Sequence, residues 1–170
     1  MNRTSSFADA ETSFLSELNQ YAALPYVVTP SGLLVCLITS RGTGRWIVPK
    51  GWPKADLSPV TMAATEACEE AGLVGSTSMV PIGSYVYRKQ LHRFATVNCR
   101  VTVFPMNVEI QKLKWREKGQ RRIDWVSPKK AAKRVDEAEL SKLILNLRDW
   151  LAEKASNPHP IAATVTNRSG

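Results

Sequence analysis

Two apolar runs, Tyr26 to Thr29 and Leu33 to Thr39, flank Pro30-Ser31-Gly32 and predict a β-hairpin. Arg41-Gly42-Thr43-Gly44 makes a turn, Arg45-Trp46-Ile47-Val48 returns as a short strand ended by Pro49, and Gly51-Trp52-Pro53 forms a loop. Ser58 followed by Pro59 is an N-cap with proline at the first helical position, and Gly72 is a helix stop, so a helix is predicted up to Ala71. Strands follow from Pro81 to Arg88 and from Arg93 to Phe104, joined by the polar turn Lys89-Gln90-Leu91-His92. His92 reads as a surface turn residue. A further strand, Arg121 to Val126, leads into Ser127-Pro128, a second helix start. Asp136 with Glu139 is a capping-box-like pair opening a last amphipathic helix to about Ala152. Helices interspersed with hairpins predict an α/β (α+β) fold, a mixed sheet covered by helices.

The first 20 residues hold a short helix at most, Glu11 to Tyr21, and read as an N-terminal extension. Residues 21–153 read as one domain without repeats, and 154–170 as a small, polar, proline-broken tail expected to be mobile. A length of 170 residues with 44% hydrophobic residues suits a single core. No apolar run approaches the roughly 20 residues that span a bilayer, and the acidic, polar N-terminus lacks a signal core. A cytoplasmic protein with no membrane partner is expected.

Composition adds a basic excess, 23 Lys and Arg against 15 Asp and Glu, or +8. It has an address: residues 112–134 carry ten Lys and Arg against only Glu117 and Asp124, and the remainder of the chain is neutral. Such a run is a solvated face or the grip on an anionic partner. Cys36, Cys68 and Cys99 are widely spaced in apolar contexts and read as core thiols, and two histidines cannot build a multi-His metal site. Trp46, Trp125 and Trp150 read as core residues.

The candidate chemistry lies in the first helix. Glu66, Glu69 and Glu70 stand at i, i+3 and i+4, which places three carboxylates on one face, and no Lys or Arg lies between Asp56 and Gly72 to relieve them. A divalent metal resolves that conflict, because carboxylate oxygens suit Mg²⁺ completed by water and substrate phosphate. The loop Pro49-Lys50-Gly51-Trp52-Pro53-Lys54 just before the helix combines a glycine that permits close approach, two cations and an aromatic platform.

These residues resemble the Nudix hydrolase signature, G-x5-E-x7-R-E-U-x-E-E-x-G-U with U aliphatic. Gly51, Glu66, Ala67, Glu69, Glu70, Gly72 and Leu73 fall at its spacings, while Leu57 replaces the first Glu and Thr65 the Arg. Arg45 to Gly51 and Arg121-Arg122-Ile123-Asp124-Trp125-Val126 are similar to the diphosphoinositol polyphosphate phosphohydrolase branch, in its bacterial Lys-Gly-Trp-Pro variant. The resemblance spans about Ala23 to Trp150. It implies an α/β/α sandwich with a loop-helix-loop catalytic element and Mg²⁺-dependent (or Mn²⁺-dependent) cleavage of a diphosphate. It assigns Glu66, Glu69, Glu70 and Gly51 to the metal, and Arg45, Lys50, Trp52, Lys54, Arg88, Arg93, Arg121 and Arg122 to the substrate. The family arginine holds a glutamate in place; Thr65 cannot, which implies a substitute cation or a weak enzyme. Asp124 or Glu117 could add a carboxylate from outside the box, and spacing does not choose between them.

The function implied is a pyrophosphohydrolase for a highly phosphorylated small molecule, a diphosphoinositol polyphosphate or a diadenosine polyphosphate. The alternatives are RNA 5′-end pyrophosphohydrolysis, with stacking on Trp52 and Trp115, and a non-catalytic phosphate binder with a degenerate box. The oligomeric state is open.

Overall fold

The computed structural model describes residues 17–157. The elements run β1 (Leu18–Thr29), β2 (Gly32–Thr39), β3 (Trp46–Ile47), β4 (Lys50–Gly51), α1 (Pro59–Ala71), β5 (Leu73–Thr77), β6 (Gly83–His92), β7 (Ala95–Gln111), β8 (Ile123–Val126), α2 (Pro128–Ala132) and α3 (Ala138–Ser156). One mixed sheet carries the order β3-β2-β1-β7-β5, with β8 also on β2, β4 on β1 and β6 on β7. β1 and β7 pair in parallel from Leu18↔Cys99 to Tyr26↔Asn107, and the other pairs are antiparallel.

Alternation along the strands builds two cores. Ala22, Leu24, Val35, Leu37, Val101 and Val103 face α2 and α3, where Leu140, Ile144 and Leu147 close the layer. Ala23, Cys36, Ile38, Phe104 and Met106 face α1, which meets them with Val60, Ala63, Ala67 and Ala71. That small-residue stripe lets α1 lie close on the sheet and leaves its other face to the carboxylates. The result is the expected α/β/α sandwich. Cys36, Cys68 and Cys99 are unpaired thiols, two of them buried, and burial pushes the Cys36 thiol up to about 12. No helix among the described residues is long and apolar enough to cross a membrane.

The α1 boundaries match the sequence reading. Ser58 accepts a hydrogen bond from the Thr61 N–H at 3.2 Å, and Gly72 ends the helix at φ +70°. Elsewhere tertiary pairing shifts the expectations. Residues 18–21 of the expected helix Glu11 to Tyr21 are strand, recruited by the long parallel neighbour β7, and β1 therefore starts inside the segment set apart as an extension. Residues 11–16 and the tail from 158 lie outside the described residues. The β6–β7 turn sits at Arg93-Phe94, because β6 continues through His92, whose Nδ1 accepts from the Phe94 N–H at 3.3 Å. β5 was not anticipated. α3 begins after Glu137 without a side-chain cap, since Asp136 is drawn to Arg45 instead. Trp46 and Trp125 pack against the cores, whereas Trp150 is only half-buried on α3 under Lys154.

Gly72 does more than end α1. A Cβ there would lie 2.6 Å from Cε3 and 2.7 Å from Cδ2 of Trp115, so the indole occupies the space a side chain would need. Gly72→Ala therefore combines a left-handed backbone penalty with a clash, and we expect a loss of about 2–4 kcal/mol in urea unfolding. A loss below about 1 kcal/mol, less than the left-handed backbone penalty alone, would contradict this packing.

Candidate active site

The carboxylate turn of α1 has no basic residue of its own in the last turn. Its cations arrive from the segment between β7 and β8, a chain of bends and turns. Lys112 N–H donates to Gly72 O at 2.8 Å and Glu117 N–H to Glu69 O at 3.1 Å, so backbone contacts fasten this loop to the helix C-terminus. Cations at that end also meet the negative pole of the helix dipole. Arg116 Nη1 reaches Glu69 Oε2 at 3.0 Å, and Lys54 Nζ, from the glycine loop, stands 3.8 Å from the same oxygen.

Glu70 is held most firmly. Its Oε1 accepts from Arg121 Nη2, and its Oε2 accepts from the Lys50 backbone N–H at 3.0 Å. Arg121 is itself clamped, donating from Nε to Glu117 Oε2 at 2.8 Å and from Nη1 to Thr39 O at 3.0 Å. The side chains of Arg121, Glu70 and Glu117 are 6%, 8% and 15% exposed. Burial pushes the Glu70 carboxyl up to about 7, opposed by Arg121 and the Lys50 N–H and aided by Glu66. Glu66 has no ion pair among the described residues. Burial raises its pKa too, with Lys54 opposing and Glu69 and Glu117 adding to the rise. Its carboxylate lies against Gly51 so closely that a Cβ there would collide with it, at 2.8 Å from Glu66 Cγ alone.

Gly51, Lys54, Glu66, Glu69, Glu70 and Arg121 are thus brought together, with the Lys50 backbone. The Lys50 side chain points elsewhere, its ammonium 5.1 Å from the Tyr87 ring centroid, and burial lowers its pKa, with Lys89 and Arg121 adding and Glu70 and Glu137 opposing. Trp52 is 37% exposed beside the loop with Lys89 Nζ 4.5 Å over its ring. Lys89 escaped the sequence reading, although its place two and four residues beyond Tyr87 and Tyr85 assigns it to their side of β6.

Arg122, Arg45, Arg88 and Arg93 stand away from this cluster. Arg122, the next residue in the loop leading into β8, is instead directed to the side of the α2–α3 core, where it and Arg134 lie 5.3 and 5.0 Å from the Trp46 ring. Arg45 is engaged by Asp136 at 3.2 Å and Glu137 at 3.3 Å at the start of α3. Arg88, on the far side of β6 from Lys89, bonds Thr96 at 3.1 Å across the hairpin. Arg93 stands at the hairpin tip beside Phe94. Arg121 itself is a buried partner of carboxylates, with its three donor nitrogens occupied by protein. Of the two acids outside the helix, Glu117 lies beside the cluster through Arg121, and Asp124 pairs with Arg134 at 2.6 Å, which lowers its pKa.

No family model matches the chain. Among solved structures, a C. elegans Ap4A hydrolase in a binary complex is similar at a TM-score of 0.60 and 17% identity, over 80% of this chain and 98% of that one. The Nudix domain of Shewanella oneidensis NrtR, complexed with ADP ribose, aligns at 0.59 and 14% identity over 85% and 94%. RenU, a Nudix hydrolase from M. smegmatis, aligns at 0.50 and 16% over 85% and 89%. Likeness at these identities is one of fold, and the fold is that of the Nudix hydrolases.

Among the described residues no three His, Cys, Asp or Glu groups converge tightly enough to enclose a metal ion. The donor set nonetheless suits Mg²⁺ or Mn²⁺ in kind. It is all carboxylate oxygen, Glu66 lacks a cation partner, and each Glu70 oxygen keeps a second lone pair beside the hydrogen bond it accepts. Because Glu70 titrates near 7, a metal must displace its proton below that pH. Calorimetry of Mn²⁺ binding in buffers of different ionisation enthalpy should show proton release at pH 6 that vanishes by pH 8.5, with weaker affinity at the lower pH. Equal affinity at both pH values would refute the shift.

Proposed function

We propose that this protein is a metal-dependent pyrophosphohydrolase acting on a highly phosphorylated small molecule. The observation that carries the reading is the carboxylate cluster of α1, pressed by Glu66 against a glycine loop that also presents Lys54 and, through Lys89, an aromatic platform at Trp52. A bound Mg²⁺ or Mn²⁺, held by Glu66, Glu69 and Glu70 with the Gly51 segment, supplies neutralisation of phosphate charge and a more acidic bound water.

The chain's own residues do the rest. Glu66, the carboxylate without an ion-pair partner among the described residues, is the one whose oxygens no cation of the chain occupies, which leaves them to the metal and the attacking water. Glu70 is fixed at both oxygens, so its orientation is set before substrate arrives. Lys54 and Lys89 offset negative charge at the mouth of the loop, where four or more phosphates would otherwise meet three carboxylates. Trp52, partly exposed and capped by a cation, offers a stacking face to a nucleobase. That platform favours a dinucleoside polyphosphate of the diadenosine kind, in keeping with the similarity to an Ap4A hydrolase. A diphosphoinositol polyphosphate is the second reading, supported by the lysines but giving Trp52 no ring to stack on.

A substrate panel at fixed Mg²⁺ tests the proposal: diadenosine tetra- and hexaphosphate, a diphosphoinositol polyphosphate, ADP-ribose and 5′-triphosphorylated RNA. We expect turnover on the diadenosine polyphosphates, abolished by chelation and reduced about 100-fold or more by Glu66→Gln or Glu70→Gln with the circular dichroism spectrum unchanged. Binding of these ligands without phosphate release, with either metal supplied, would replace the enzyme by a binding protein. Preference for the RNA would replace the substrate class.

A further inference from the structure

We infer that Arg121 is the positioning residue of the carboxylate helix, supplied from the β8 side of the fold in place of a cation on the helix itself. Three carboxylates within one turn of α1 require a fixed positive partner, and position 65, one turn ahead of Glu69, carries threonine. The Thr65 hydroxyl donates back to Thr61 O at 2.8 Å and touches no carboxylate. Arg121 reaches the same turn from the loop before β8, 51 positions later in sequence than Glu70, and donates to Glu70. Its Nε donates to Glu117 and its Nη1 to Thr39 O at the end of β2, so the guanidinium is oriented from three sides. A substrate-gripping arginine keeps donors free and exposed; Arg121 is 6% exposed with Nε, Nη1 and Nη2 all engaged. Its fork fixes where the Glu70 carboxylate points, and through Glu117 it also spaces the neighbouring acid.

This deepens the hydrolase reading and rests on it for the catalytic consequence, whereas the metal-binding consequence stands apart. Mn²⁺ affinity is measured by calorimetry and turnover by phosphate release. Removing a partner that orients a ligand group generally weakens metal affinity or activity about 10- to 100-fold. Arg121→Gln should therefore raise the Mn²⁺ dissociation constant by about tenfold or more and lower kcat similarly, with KM for the nucleotide within about threefold. Arg121→Lys, which keeps the charge without the fork, should fall between the two. Adding Thr65→Arg to Arg121→Gln should recover about tenfold of both quantities, because it returns a cation to the same turn.

The opposite pattern, unchanged Mn²⁺ affinity and kcat with a raised KM, would make Arg121 a substrate contact and overturn the inference. So would a folded double variant that recovers nothing. Should Arg121→Gln fail to fold, Thr65→Arg alone decides. With Arg121 already in place it should alter Mn²⁺ affinity and turnover by less than about twofold, and a gain of about tenfold would show that Glu70 was not held. A wild-type protein that hydrolyses nothing sinks the proposed function, yet leaves the Mn²⁺ comparison to decide this point.

Discussion

The contact on which the site depends is the buried pair between Arg121 and Glu70. Like charges at i, i+3 and i+4 destabilise a helix, and burying one of them raises that penalty further. α1 carries such a set and no cation of its own. Breaking a buried ion pair by removing one partner costs about 3–5 kcal/mol in general, because the other charge is left without compensation. The loop between β7 and β8 is consequently not free to be a mere connection. It must stay on the helix C-terminus, and Trp115 on Gly72, Glu117 N–H on Glu69 O and Arg116 on Glu69 keep it there.

That constraint redistributes the basic excess of residues 112–134. Arg116 and Arg121 pair with the α1 carboxylates, while Arg122 and Arg134 both lie near the Trp46 ring and Arg134 also pairs with Asp124. Adjacent arginines with the same charge thus have unrelated partners, Arg121 the carboxylates of α1 and Arg122 the Trp46 ring. The cations left near the loop, Lys54 and Lys89, come from outside this segment altogether. Within a basic stretch that reads as the grip on an anionic ligand, two of the ten cations, Arg116 and Arg121, are the counter-charge of an acidic helix.

The parts of this arrangement that local chemistry dictates were legible in the sequence. The α1 caps, the three glutamates on one face, the close approach at Gly51 and the first hairpin all follow from residue type and spacing. What depends on distant pairing was not. The strand character of residues 18–21 comes from β7, and the release of Asp136 from capping comes from Arg45. The role of Arg121 depends on a partner 51 positions away, and nothing about an Arg-Arg pair says which member is buried. Lys89 is recoverable, since alternation from Tyr85 and Tyr87 assigns its side of the strand, and the same alternation sends its neighbour Arg88 to the other side. The threonine at position 65 was visible as a gap, and only the folded chain identifies what fills it.

The fold is that of the Nudix hydrolases, and the chemistry proposed for it stands on whether the α1 carboxylates hold a divalent metal. Anomalous diffraction from crystals grown with Mn²⁺ and a slowly hydrolysed diadenosine polyphosphate analogue measures this most directly. The account predicts a manganese peak within coordination distance of Glu66 and Glu70 carboxylate oxygens, with Arg121 still on Glu70 and the analogue's phosphates on the metal. Anomalous density elsewhere, or none at these glutamates with the analogue bound, would contradict it.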